Sequence, residues 1–129
     1  MVLNENKLRQ IIRGTLLEWA RATGEPDEMV ARELTLYFEN ERELYEMTQA
    51  LVDNLVRRMR KGTEVSEDIL ANSSVMDKIV KATLNKYMKD YGSFQVDTAT
   101  RKATKRAIAQ NLIQRAEDNF EFEQNNNEL

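Results

Sequence analysis

The chain has no cysteine and no histidine, a single proline and four glycines in 129 residues. Without cysteine there can be no disulfide framework, thiolate nucleophile or Cys-based zinc site, and a reducing compartment is compatible. Without histidine there is no Ser-His-Asp chemistry and no Glu-x-x-His di-metal bundle. Catalysis would then need a carboxylate, lysine or tyrosine with a strongly displaced pKa, and no such pair is visible. No apolar run approaches the about 18 residues of a membrane span, and none at the N-terminus has the length of a signal peptide. The one acidic run, Glu39-Asn40-Glu41-Arg42-Glu43, lacks the glycine and the distal glutamate of a calcium loop. These absences predict a soluble protein, intracellular (cytoplasmic) or carried in a virion. They lead to the expectation of no catalytic, cofactor-binding or metal residues and no membrane partner, with carboxylate-only Mg²⁺ or Ca²⁺ binding left open.

What is present points to helices. Charged residues make up 32% and hydrophobic ones 41%, with a net charge of −3, which suits exposed amphipathic helices in one domain. Asn4 is placed to cap a first helix over about 5–23, with Leu8, Ile11, Ile12, Leu16 and Trp19 on one face, Gly14 inside it and Gly24 at its end. Pro26 then opens a stretch with acids in its first turn and no breaker before Gly62. As one helix over 26–61 it would be about 54 Å long. Its apolar stripe runs Leu34, Tyr37, Phe38, Leu44, Tyr45, Leu51, Val52, Leu55 and Met59. A short helix is expected over 67–71 and another from a cap at Ser74 to about Tyr91, closed by Gly92. After an extended link at 93–96, Asp97 or Thr98 caps a last helix to about Phe122. The expected fold is therefore all-α: a helical bundle in which a long central helix is flanked by three shorter ones. It forms a single domain over 1–122, with a flexible polar tail at 123–129. The aromatic residues Tyr37, Phe38, Tyr45, Tyr87 and Tyr91, and the methionines, read as core and helix-interface packing.

Two basic clusters stand out in an acidic chain. Arg57, Arg58, Arg60 and Lys61 close the long helix, where cations complement the negative end of its dipole. Arg101, Lys102, Lys105 and Arg106 lie near the start of the last helix, where the dipole opposes them. With Arg101 at zero, these four fall at about 0°, 100°, 40° and 140° on a helical wheel. Leu112, Ile113, Ala116 and Phe120 of the same helix fall at about 20°, 120°, 60° and 100°. Basic and apolar residues thus share one face. Either the first half overhangs the body, or its Ala99-Ala103-Ala107 edge makes a separate contact. An anion would explain the cations: nucleic-acid phosphate, or the acidic surface of another subunit.

The opening Leu3-Asn4-Glu5-Asn6-Lys7-Leu8-Arg9-Gln10-Ile11-Ile12-Arg13 resembles the start of small helical proteins of tailed bacteriophages, and departs from it at Gly14-Thr15. The long helix with short flanking helices is similar in outline to phage small-terminase subunits, which form rings and bind DNA. This resemblance implies a viral assembly or packaging context and carries over no functional residue. The leading expectation is a non-enzymatic assembly protein that self-associates along its long helix, because that helix needs more cover than its neighbours supply. Its partners would be copies of itself or other protein subunits. The alternative is a nucleic-acid-binding regulator or DNA-packaging factor acting through the basic helix at 98–115.

Overall fold

The computed structural model describes residues 27–127, an all-α bundle of five helices. These are α1 (Glu28–Asn40), α2 (Arg42–Arg60), α3 (Glu67–Ala71), α4 (Ser74–Tyr91) and α5 (Thr98–Asn127). The expected helix over 5–23, and the resemblance carried by residues 3–13, lie outside the described residues.

Each helix start has a side-chain cap that meets an orphan backbone N–H, except α2. The Asp27 carboxylate accepts from Val30 N, Ser66 from Ile69 N, and Ser73 from Met76 N. Asp97 Oδ1 accepts from Thr100 N at 2.7 Å. The α4 cap is thus Ser73, one residue before the expected Ser74. At the other end Gly92 adopts φ +97°, a conformation costly for any residue with a Cβ, and its N–H bonds Met88 O.

The expected helix over 26–61 is divided. Glu41 is extended (φ −95°, ψ 115°) and separates α1 from α2, although no glycine or proline is nearby. The cause is tertiary. The longest helix is α5, which packs against all four others, and α1 and α2 run along it in its own direction. Asp27 N donates to Thr100 Oγ1, Asn111 to Glu39, Arg115 to Thr48, and Arg60 pairs with Glu123. The 34 residues from Asp27 to Arg60 therefore lie against only 24 of α5, from Thr100 to Glu123. A straight rod cannot follow that path, and the bend at Glu41 takes up the excess. The helix runs on to Asn127, past the Phe122 at which the sequence reading ended it.

α4 leads from α5 to the end of α1. Its start faces Lys105 through Asp77, and its end reaches Tyr37, whose hydroxyl donates to Asp90 at 2.6 Å. There Tyr37, Tyr87, Tyr91 and Phe94 stack edge to face or tilted, with centroids 4.7–6.2 Å apart. The core gathers Val30, Leu34, Phe38, Val52, Met76, Val80, Tyr87, Ile108 and Leu112, all nearly inaccessible. Tyr45 and Met47, expected inside, are half exposed.

α5 shows how the basic face and the apolar face coexist. Its fully buried stripe is Thr100, Thr104, Ile108, Leu112 and Ala116, spaced by four residues. Each step advances about 40° around the axis, so the stripe winds about 160° over its length. At the level of the cations it lies well to one side of them, and neither an overhang nor an Ala99-Ala103-Ala107 edge is needed. Its first two members are threonines, which hide it from a hydrophobicity pattern. The Thr104 hydroxyl bonds Thr100 O at 2.8 Å, and the Thr100 hydroxyl accepts from Asp27 N at 2.9 Å.

Candidate interaction surfaces

Neither basic cluster is left entirely to solvent. Lys105 pairs with Asp77 at the start of α4, and Arg106 Nη2 lies 3.3 Å from Asp68 Oδ1 in the first turn of α3. Helix starts favour acids because their N–H groups are unpaired. The acids that cap α3 and α4 electrostatically are thus also the acids that neutralise two cations of α5. Arg101 and Lys102 are exposed and have no ion pair among the described residues. Arg101 and Lys105 line a groove with Asp77, Lys81 and Met88 of α4.

In the second cluster Arg60 grips Glu123 through both Nε and Nη2, with Nε to Oε2 at 2.8 Å. This pairing holds the guanidinium above its ordinary pKa and the Glu123 carboxyl below its own. It joins the end of α2 to the last turns of α5, beside a groove lined by Val56, Arg57, Asn119 and Phe122. Arg57, Arg58 and Lys61 are exposed, without ion pairs among the described residues.

Arg115, which the sequence reading passed over, is the polar tie between α5 and α2. Its guanidinium donates to Thr48 Oγ1 at 2.9 Å and to Gln49 Oε1 at 3.2 Å, and lies 4.0 Å from the Tyr45 ring centroid. A cation over an aromatic face is attracted by the ring quadrupole. That contact explains why Tyr45 is half exposed: its ring is a platform, not a core filler. No local pattern announces it, because the partners are about seventy positions apart.

An apolar groove lies between α2, α3 and the start of α4. Leu51, Leu55, Val65 and Leu70 form its floor, with Ile69 and Val75 on its rim and a volume of about 270 Å³. Ile69 is 73% exposed and Val75 45% exposed. The sequence reading placed Leu51 and Leu55 on the long helix's stripe and Arg58 in a basic cluster, and read no groove here. Ile69 and Val75 belong to short or interrupted segments, where no helical stripe signals a face.

No group of three or more acidic, cysteine or histidine side chains among the described residues could hold a metal ion. No described helix is long and apolar enough to cross a membrane. No family model, curated protein or solved structure matches the chain.

Proposed function

We propose that this chain is a non-enzymatic assembly subunit that self-associates through the apolar groove between α2, α3 and the start of α4. The observation that carries the reading is an apolar floor with two large aliphatic side chains, Ile69 and Val75, standing in water at its rim. Leaving such side chains exposed costs a folded chain nothing locally, but removing them from water on association is favourable, and clustered apolar surface marks interaction sites. This differs from self-association along a long helix, since that helix is bent and its two parts are covered by α5. The phage-like opening is in keeping with an assembly role.

Sedimentation velocity at about 50 µM, well above the dissociation constant of a micromolar complex, tests the reading. The expected result is a species of two or more chains that Ile69→Glu converts to monomer without loss of helicity. A monomer at every concentration would overturn it.

A second reading, nucleic-acid binding at the start of α5, is favoured by the exposure of Arg101 and Lys102 without carboxylate partners among the described residues. It has less free charge than the sequence suggested, because Lys105 and Arg106 face Asp77 and Asp68. Duplex binding that is strong at about 50 mM salt and collapses at about 200 mM would promote it. The assembly reading expects no binding at either salt.

A further inference from the structure

The groove has a candidate occupant within the chain's own surface. Phe122, near the end of α5, is 67% exposed. It is flanked by Asp118 and Glu121, which have no ion pair among the described residues, and α5 carries no cation after Arg115. The groove has Arg58 among its lining residues, and Lys61 follows in the next turn. An aromatic side chain beside acids thus matches an apolar groove that carries one cation, Arg58. Glu64 also lines the groove, so the complementarity rests on Arg58 against Asp118 and Glu121. The size is adequate, since an enclosed cavity of about 150 Å³ accepts benzene.

The same chain cannot make this contact. On α2, Leu51, Asn54, Leu55 and Arg58 face the groove, whereas Asp53, Val56, Arg57 and Arg60 face the α5 end that bears Phe122. At about 100° per residue the two sets lie on nearly opposite sides of the helix. Resting on the self-association reading, we propose that the groove receives the Phe122 edge of α5 from a second copy, head to tail. Because plug and socket are different surfaces, each copy that uses its socket still offers its plug. Such a contact, made one way only, closes into a ring or extends into a filament.

The chain contains no cysteine, so an introduced thiol reports alone. Ile69→Cys and Phe122→Cys chains, mixed and oxidised, are expected to give cross-linked pairs containing one of each. Cross-linking of Ile69→Cys chains with one another would show a groove-to-groove dimer and overturn the proposal. In a second experiment, Ile69→Glu and Phe122→Glu chains are each expected to sediment as monomers, with thermal melts matching the parent. Mixed, they restore one intact plug and one intact socket, and form pairs that grow no further. Phe122→Glu chains that assemble like the parent would remove the plug and leave the assembly reading standing. If Ile69→Glu chains also assemble like the parent, both fall.

Discussion

The two halves of α5 share a helix, and in part a sector of its wheel, but not their surroundings. Through Ile108 the buried stripe is Thr100, Thr104 and Ile108, and α1, α3 and α4 lie around it with Asp68 and Asp77 facing its cations. From Ala109 onward the buried residues are Ala109, Leu112 and Ala116, after which the helix runs beside the end of α2, turns acidic and exposes Phe122. Burial therefore follows the neighbours rather than the residue type. Threonines are sealed in the first half, while a phenylalanine stands in water in the second. The second half is tied to α2 through Arg115 and Glu123, yet its end leaves an aromatic side chain exposed.

The largest effect that sharpens this contrast is a cavity. Leu112 is inaccessible where α5 passes from one half to the other, and Leu112→Ala is expected to cost about 2–5 kcal/mol in urea unfolding. Phe122→Ala, though it removes a larger apolar side chain, is expected to stay within about 0.5 kcal/mol for the unassembled chain. Similar costs at both sites would break the comparison.

The two buried threonines give a smaller and more diagnostic difference. Thr100→Val leaves Asp27 N–H without its acceptor in a buried place, which is expected to cost about 1–3 kcal/mol. Thr104→Val removes a hydroxyl that only bonds back to Thr100 O, a carbonyl of its own helix, and is expected to be near neutral. Paired urea titrations of the two variants measure the gap. If Thr104→Val is the more costly, the hydroxyls serve packing and not the Asp27 tie.

Much of this fold was legible in the sequence, because its punctuation is local. Gly62, Ser66, Gly92 and Asp97 end or start helices close to where backbone chemistry predicts. The bend at Glu41 was not legible, since it answers a mismatch in length against α5 and has no breaker residue. The wheel misled because it assumed a straight stripe, whereas the buried one winds by steps of four and begins with threonine. The partners of Lys105 and Arg106 were hidden for another reason. Asp68 and Asp77 sit about thirty to forty positions away and also read as ordinary first-turn acids. The groove was missed altogether, as its rim comes from α3 and the first turn of α4, where no periodic face exists.

The in-chain ion pairs of the basic half are expected to matter less again. Lys105→Ala and Arg106→Ala should each lower stability by no more than about 1 kcal/mol, because exposed pairs gain little over hydration. Chemical unfolding at low and high salt measures this, with the small difference shrinking as salt rises. A cost near that of Leu112→Ala would mean that these cations hold the bundle's core and not its surface.

The smallest effect separates the bend from the end of α5 by pH. Lys86 bridges Glu41 and Glu43 at the bend, and its hydrogen bond to Glu43 holds the Glu43 carboxyl below its ordinary pKa and the Lys86 ammonium above its own. Arg60 does the same to Glu123 at the end of α5. A carboxyl lowered on folding adds stability that is present above its unfolded pKa and fades as pH falls through the lowered folded value. Both pairs therefore weaken on the acid side, below about pH 4.5, and Lys86→Met or Arg60→Met should each flatten that limb of the urea midpoint. On the alkaline side the two differ. An ammonium raised on folding adds stability present below its unfolded pKa and lost as pH rises through the raised value, while a guanidinium stays charged throughout. Tyr37 adds to the same limb, since burial first, and then its bond to Asp90, push its phenol above the ordinary 10. Above about pH 10, then, Lys86→Met and Tyr37→Phe should lose less stability than the parent, and Arg60→Met should follow it. If Arg60→Met also flattens the alkaline limb, that limb does not belong to the Lys86 bridge at the bend.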